Sequence, residues 1–315
     1  LNNRMMRLRY LVTFLILCGG ISFVLAQDAP RFLDKAGPYI GQKPPGKIPE
    51  YFAPGIISVD ENFEHSTAIF SPDGREVYWT TNVGLYTENG IQGNLRLHYM
   101  KMVNGRWTVP QIPPFAKDLN LDRPVFSPDG TRLYFDMLKM YYYPNGAEET
   151  DIFFVERTEN GWSDPVPASP LINSNRIERL HCIAADGSLY FARDPFTNNE
   201  SIFVTKRING QFTKPIELGE SYNSESYEYA LLISPNEEYM IICENTSSGA
   251  NVKISFNKPN GEWTERFQTP YYTGGFLSLS PDGKYLFLEN EGIQWVSTSF
   301  VEELKPDYLK YAGRI

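Results

Sequence analysis

The chain has 315 residues with a formal net charge of −9, and 42% of its residues are hydrophobic. This composition excludes a disordered chain, and the acidic balance argues against partners such as nucleic acid or an anionic membrane surface. The 20 Tyr and 20 Phe residues favour strands over helices.

The first 26 residues have the pattern of a secretory signal peptide. They contain a basic start, an uncharged stretch and small residues before the cleavage point, namely Arg4, Arg7, Arg9, residues 10–26, Val24 and Ala26. We therefore expect an exported protein, periplasmic or extracellular, that begins at Gln27, has a net charge of −12 and does not insert into a membrane. A retained membrane anchor and a lipid anchor at Cys18 are the alternatives.

From residue 68 onward one pattern recurs, and this internal repeat is the strongest signal in the sequence. Each copy is an apolar run, a turn and a second apolar run, which predicts a β-hairpin. The turn is Ser-Pro-Asp-Gly in three copies, and Pro, Asp and Gly each favour a tight turn. The five copies, about 52 residues apart on average, are 68–79, 124–135, 181–192, 231–242 and 277–288.

A second motif keeps step with the first. Asn-Gly, the preferred two-residue hairpin turn, follows a further apolar strand in four units and precedes an aromatic residue. Each unit therefore supplies two hairpins and four strands, as a β-propeller blade does. The turns lie at 104–105, 160–161, 209–210 and 260–261, and the aromatic residues, which we assign to packing between blades, are Trp107, Trp162, Phe212 and Trp263.

The fifth unit lacks its last strand, and a matching strand occurs before the first unit. The aromatic residue begins an aromatic-x-x-Pro pattern in three units, and Tyr51 begins the same pattern in YFAP. Tyr51 also lies 22 residues before Asp73, the spacing between Trp107 and Asp129. Residues 51–58 are therefore predicted to close the last blade, which leaves no exposed edge in the ring.

We therefore predict an all-β fold, a five-bladed β-propeller of four-stranded blades, over residues 51–300. Residues 27–50 are rich in Pro and Gly and predict an arm that is packed on the surface or loose. Residues 301–315 predict a short helical tail. Cys182 and Cys243 remain after the leader, and two buried thiols are favoured over a disulfide because a domain of this size does not need one.

The Ser-Pro-Asp-Gly turn followed by an apolar strand resembles the WD40-like repeat of TolB-type periplasmic propellers, and NSESYEYALLISPNEEY at 223–239 is similar to the same class. The resemblance covers about residues 51–300 and implies an exported, single-domain propeller. It implies little about function, because propellers carry many activities. Oligogalacturonate lyases are similar propellers with a His-rich metal site in the channel, whereas this chain contains His65, His98 and His181.

In a propeller the innermost strands line a central channel, and the residues before them lie on the same face as the loops after the second strands. Both sets of positions are polar here and differ between blades, which is typical of a binding face. We predict a site for a polar ligand at this channel mouth, formed by His65, Asp122, Arg123, Glu178, Arg179, Arg193, Asp194, Glu228, Glu244, Asn245, Tyr141, Tyr142 and Tyr143, with Glu64, Asp136 and Glu289 in the same ring. A solvated rim whose charges pair across blades is the alternative.

Two parts of this face have further interpretations. The three tyrosines lie in a loop longer than its counterparts, which suits stacking on sugar rings or on a protein, or packing on itself. His65 and His181, with Glu178 or Glu228, are candidate metal ligands, although such His side chains more often form structural hydrogen bonds. We predict no metal, no cofactor and no catalytic residue.

Two functions follow. The one that we favour is noncatalytic binding of a protein, peptide or glycan at the channel mouth by a monomeric propeller. The other is a glycan-active enzyme, a lyase or hydrolase, that uses channel-mouth carboxylates or a His-bound metal. That enzyme needs paired carboxylates at a catalytic separation or convergent His ligands, and the sequence reveals neither.

Overall fold

The alternating repeats form five antiparallel sheets, which are the blades of a five-bladed β-propeller, as predicted. The computed structural model describes residues 31–59, 63–83, 85–87, 90–92, 95–139, 149–193, 201–223, 228–246 and 249–310. The predicted leader, with Cys18, lies outside these residues. No helix in the described part of the chain is long and apolar enough to cross a membrane.

The segment before the first blade contains β1 (Phe32–Ala36), a 3-10 turn (Pro38–Gly41) and β2 (Glu50–Tyr51). The first blade contains β3 (Phe63–Glu64), β4 (Ile69–Phe70), β5 (Glu76–Asn82), β6 (Leu85–Thr87), β7 (Gly90–Gln92), β8 (Leu95–Val103) and β9 (Arg106–Thr108). After a second 3-10 turn (Pro114–Ala116), the second blade contains β10 (Leu121–Phe126), β11 (Arg132–Lys139), β12 (Glu149–Thr158), β13 (Gly161–Trp162) and β14 (Val166–Pro167).

The third blade contains β15 (Glu178–Ile183), β16 (Leu189–Arg193), β17 (Ser201–Thr205), β18 (Arg207–Ile208), β19 (Gln211–Phe212) and β20 (Ile216–Glu217). The fourth contains β21 (Glu228–Ile233), β22 (Tyr239–Thr246), β23 (Gly249–Phe256) and β24 (Phe267–Thr273). The fifth contains β25 (Leu277–Leu279), β26 (Tyr285–Glu289) and β27 (Ile293–Ser297), and the helices α1 (Ser299–Leu304) and α2 (Asp307–Lys310) follow.

The last blade is closed by the N-terminal strand β2, as the repeat spacing predicts. Glu50 pairs with Trp295 of β27, and the Phe52 N–H donates a 2.8 Å hydrogen bond to the Ile293 carbonyl. The strand was predicted over 51–58, but it covers Glu50–Tyr51. It ends early because Ala53 adopts a left-handed φ of 45°, which turns the chain out of the sheet.

The described part of the N-terminal arm is packed rather than loose. Strand β1 pairs with β9 and adds a strand to the outer edge of the first blade. Ile40 is buried in the cluster between the first and fifth blades, and the Trp107 indole N–H donates a 2.8 Å hydrogen bond to the Gly37 carbonyl. The arm therefore covers an edge and an apolar surface that would otherwise meet water.

The Ser-Pro-Asp-Gly turns are held by their own side chains. Ser71 Oγ donates to Asp73 Oδ1 at 2.6 Å, and the same carboxylate oxygen accepts the Arg75 N–H at 3.0 Å. Gly74 has a φ of 69°, a region that glycine tolerates best. In the fourth blade Glu237 occupies this glycine position with a φ of 56°. One of the five turns is therefore strained.

We expect Glu237→Gly to raise the free energy of unfolding by about 1 kcal/mol. A residue with a side chain costs about that much in the left-handed region, whereas glycine adopts this region without the cost. Urea unfolding followed by circular dichroism measures the change. Glu238→Gly, at the next residue, is the matched control and should destabilise, because it only adds freedom to the unfolded chain. Equal midpoints for the two variants would contradict the assignment of strain to Glu237.

The Asn-Gly turns take two conformations. Positive φ at both residues, which the type I′ turn requires, occurs at 104–105 and 209–210. At 160–161 and 260–261 only the glycine has positive φ. Two of the four Asn-Gly turns therefore have the type I′ conformation that this dipeptide favours.

The aromatic residues after these turns contribute to packing between blades, as predicted. The Trp162 indole N–H donates a 2.9 Å hydrogen bond to the Tyr78 hydroxyl of the first blade, and Trp263 donates similarly to Tyr222 at 2.6 Å.

Cys182 and Cys243 are both free and buried, and burial raises the thiol pKa of each. The preference for two buried thiols is confirmed.

Candidate functional site

The two sets of positions chosen from the sequence meet at one end of the channel. Residues at or near the start of the inner strands lie opposite residues in the second half of the second strands in the pairs Asp122–Asp136, Glu178–Arg193 and Glu228–Glu244. Asp194 and Tyr141–Tyr143 lie outside the described residues. The structure describes only the backbone of Glu228 and Asn245.

The channel itself is narrow. It is lined by inner-strand residues of all five blades, among them Thr67, Arg123, His181, Leu231 and Phe276. Its cavity of about 30 Å³ holds one or two water molecules, whereas small-molecule pockets begin at roughly 300 Å³. The channel is therefore too small to enclose a ligand larger than water.

Three blades converge on one group of side chains at the mouth. His65 Nδ1 of the first blade lies 3.0 Å from Asp122 Oδ2 of the second blade. Arg123 Nε lies 3.5 Å from Asp136 Oδ2, and its guanidinium lies over the Phe276 ring of the fifth blade at 4.6 Å. The His65 ring is 5.3 Å from the same phenyl ring. Phe276 therefore supports both cationic side chains.

The backbone at Arg123 is strained. Its φ of 49° is left-handed, which is uncommon for a residue other than glycine, asparagine or aspartate. Strained residues cluster at binding and catalytic sites, where the surrounding contacts hold them. Here the ion pair with Asp136 and the stack on Phe276 hold Arg123 in place.

Buried carboxylates surround this group. Burial raises the pKa of Glu289 to about 7, the negative charges of Glu64 and Asp122 raise it further, and His65 opposes them. Burial also raises the pKa of Glu64, and it raises that of Asp136 well above its usual range. For His65, burial lowers the pKa, but Asp122 outweighs this effect and the net pKa is raised. We call Glu64, His65, Asp122, Asp136 and Glu289 the acidic cluster.

On the opposite side of the mouth, in the third blade, the charges satisfy each other. The Glu178 side chain is 0% exposed and accepts hydrogen bonds from Ser174 and, at 2.9 Å, from Arg193 Nε. Arg193 also donates to the Ile172 carbonyl at 2.6 Å. The Glu178 carboxylate is therefore enclosed and already bonded, and its predicted contact with a ligand stays a prediction. The carboxylate positions Arg193.

The fourth blade repeats this arrangement. Glu244 accepts hydrogen bonds from Lys253 Nζ and Arg266 Nη1, each at 2.6 Å. Burial raises the pKa of Glu244, but these two cations outweigh it and the net pKa is lowered. The charges of the third and fourth blades are therefore paired within each blade, whereas His65 and Asp122 of the acidic cluster pair across the first and second blades.

His181 lines the channel without a hydrogen-bond partner at either ring nitrogen among the described residues. Burial lowers its pKa to about 3, and the positive charges of Arg123 and Arg179 lower it further. That positive field disfavours a metal cation. No group of three or more His, Cys, Asp or Glu side chains in the described ranges is arranged to hold a metal, and the side chain of Glu228, one of the candidate ligands, is not among those described.

Phe276 is the member of this site that the sequence analysis missed. It lies one residue before the last hairpin, 277–288, and is apolar, so the pattern assigned it no role. The register of the hairpin was the available signal, because it places Phe276 opposite Glu289, which was assigned to the channel mouth. In the structure the Glu289 N–H donates a 3.3 Å hydrogen bond to the Phe276 carbonyl.

Comparisons with known proteins find distant structural similarities. No family model and no curated protein matches the chain. A protein described as TolB from Agrobacterium tumefaciens is similar, with 15% identity, a TM-score of 0.46 and coverage of 71% of this chain and 68% of that chain. A periplasmic gluconolactonase of Pseudomonas aeruginosa has 15% identity, a TM-score of 0.41 and coverage of 71% and 64%. A chain of a nidogen–laminin complex has 13% identity, a TM-score of 0.48 and coverage of 78% and 82%.

Identities this low transfer no function, and the conclusion that the molecule is a five-bladed propeller rests on its own sheets.

Proposed function

We propose that this chain is a noncatalytic binding propeller, an exported member of the TolB-type WD40-like class, whose acidic cluster recognises a cationic group of a protein or peptide. One observation carries the proposal. Asp122 Oδ1 is buried and has no hydrogen-bond partner among the described residues, although Oδ2 of the same carboxylate lies beside His65. An unpaired buried acceptor costs about 1–3 kcal/mol, and a ligand donor that reaches it removes that cost.

The charges at the mouth favour a cationic donor. The acidic cluster contains four carboxyl groups and His65, whose side chain is 25% exposed, and the arginines that act on its carboxylates are Arg123 and Arg179. The whole chain is acidic, with a net charge of −9, so a basic segment of a partner is attracted over a long range. A Lys, an Arg or a free amino terminus fits this field better than a neutral sugar.

The test is a selection of peptides from a random display library on the purified protein, followed by affinity measurement at two salt concentrations. We expect basic peptides whose affinity falls with salt. Asp122→Asn should weaken binding about 10- to 150-fold, because it removes a charge-assisted hydrogen bond without changing the side-chain volume. Glu262→Gln, in an exposed turn, is the control and should bind as the wild type does. Wild-type affinity in the Asp122 variant would refute the proposal.

A glycan-active enzyme is the second candidate because of Glu289. Its pKa of about 7 suits a general acid at neutral pH, and Glu64 supplies a second carboxyl nearby. The discriminating assay measures reducing ends and unsaturated products from a panel of polysaccharides. An enzyme should lose about 10²- to 10⁴-fold of its activity in Glu289→Gln, whereas a binding protein has no activity to lose.

Export is part of the proposal and has its own test. Mass spectrometry of the protein from its native cell should find Gln27 at the mature N-terminus. A lipid-modified Cys18 would assign the protein to a membrane surface instead.

A further inference from the structure

A second cavity lies between the second and third blades, at the end of the strands opposite the channel mouth. It has a volume of about 240 Å³ and is lined by Arg132, Tyr134, Ile183, Leu189, Arg207 and Phe212, together with the hairpin turns of both blades. A buried cavity of about 150 Å³ is large enough for benzene. This interblade cleft therefore has room for a small aromatic molecule.

The cleft between the first and second blades shows which side chains fill the equivalent position there. Trp162 of the second blade donates its indole N–H to the Tyr78 hydroxyl of the first blade at 2.9 Å. Arg157, which pairs with Trp162 across the strands, stacks on the indole at 4.1 Å. The same guanidinium makes two 3.0 Å hydrogen bonds to Glu76 of the first blade. An indole, an arginine and a carboxylate therefore fill and neutralise this position.

At the equivalent positions one blade later, two of these groups are replaced. Tyr134 corresponds to Tyr78, and Arg207, which pairs with Phe212, corresponds to Arg157. However, Phe212 stands where the indole would be, and Arg132 stands where Glu76 would be. The cleft between the second and third blades thus lacks an indole with its N–H donor, and it lacks a carboxylate at the position that Glu76 occupies in the first blade.

The arginines in the cleft lack the anion that the neighbouring pair of blades supplies. Arg207 Nη1 is buried and has no hydrogen-bond partner among the described residues, while its Nε donates to the Gly210 carbonyl at 3.0 Å. Arg132 is paired with Glu156 at 2.7 Å, outside the cleft. The two carboxylates at the rim are engaged elsewhere, Asp129 within its own turn and Asp186 with Lys206.

We infer that this interblade cleft binds a small planar aromatic carboxylate, with the ring against Phe212 and Tyr134 and the carboxylate at Arg207. The ligand supplies the two groups that Trp162 and Glu76 supply in the neighbouring cleft. A free aromatic acid and the C-terminal aromatic residue of a peptide share this chemistry. For a probe with about 13 heavy atoms, a dissociation constant on the order of 1 mM or lower is expected.

The probe is indole-3-acetate, titrated into the intact protein and followed by calorimetry and saturation-transfer NMR. Wild-type protein should bind it roughly tenfold more tightly than indole, because the carboxylate reaches the half-buried Arg207 guanidinium. Phe212→Trp should fill the cleft, raise or preserve the melting temperature and abolish binding of both compounds. Arg207→Gln should bind indole-3-acetate and indole equally. Arg157→Gln, the equivalent change in the neighbouring cleft, is the control and should bind as the wild type does.

No binding by the wild type, or equal binding by the wild type and Phe212→Trp, would overturn the inference. A folded melting transition for each variant excludes loss of structure as the cause. A peptide ending in Trp with a free carboxylate, compared with its C-terminal amide, distinguishes the two sources of the ligand. Asp122→Asn should leave this binding unchanged, so the cleft and the channel mouth are tested independently.

Discussion

Phe52→Ala is expected to lower the free energy of unfolding by about 3–5 kcal/mol, the usual cost of truncating a fully buried phenylalanine. Phe52 is 0% exposed and follows the closing strand directly. Its ring lies 5.1 Å from Phe287 and 5.1 Å from Trp295 of the fifth blade, and 5.9 Å from Phe70 of the first blade. The substitution therefore leaves a cavity at the seam where the two ends of the chain meet.

Tyr51→Ala is the matched control for this prediction. Tyr51 is the preceding residue and keeps the same backbone pairing to Gln294, but its side chain is 47% exposed. Its loss should cost about 1 kcal/mol or less. Equilibrium unfolding in urea measures both variants, and equal losses would show that the seam is not held by the Phe52 side chain.

Glu289→Gln is expected to raise stability above pH 7 by about 3 kcal/mol relative to the wild type. The pKa of Glu289 is about 7 in the folded protein and 4.5 without the fold, so between these values the native state holds a proton that the unfolded chain has lost. Wild-type stability therefore falls as the pH rises from about 4.5 to 7, and the full cost remains above pH 7. A glutamine stays neutral and avoids that cost.

The measurement is urea unfolding of both proteins at several pH values between 4 and 8.5. The difference between wild type and variant should be near zero at the acid end and should grow up to pH 7. Glu291→Gln, at an exposed residue of the following turn, is the control and should follow the wild type. A pH-independent difference for Glu289→Gln would mean that Glu289 titrates as it does in the unfolded chain.

His65 contributes to the same pH range. Its folded pKa is raised above 6.5, mainly by Asp122 acting against burial, so the stability that it adds is fully present below pH 6.5 and is lost as the pH rises through its folded pKa. Both groups therefore make the folded state less stable as the solution becomes alkaline. A cationic ligand at the acidic cluster stabilises the ionised carboxylates and should counter this loss.

The hairpins, the number of blades and the strand that closes the ring were determined by the sequence alone. Each depends on local chemistry that most units repeat, such as the hydrogen bond from Ser71 to Asp73 within the turn, so the copies predict the same structure independently. The lengths of short strands were less predictable. A single residue such as Ala53, with its left-handed φ, can end a strand without any pattern in the surrounding residues.

The sites were decided by the tertiary structure. His65, Asp122 and Phe276 are far apart in the sequence, and only the closed ring brings their three blades together at the acidic cluster. The structure also gives rim carboxylates at corresponding positions different hydrogen bonding. Glu178 is enclosed with Arg193, whereas Asp122 keeps an unpaired oxygen. The interblade cleft at Phe212 has the same origin. The change from Trp to Phe is visible in the repeat, but the space that it leaves exists only when two blades pack together.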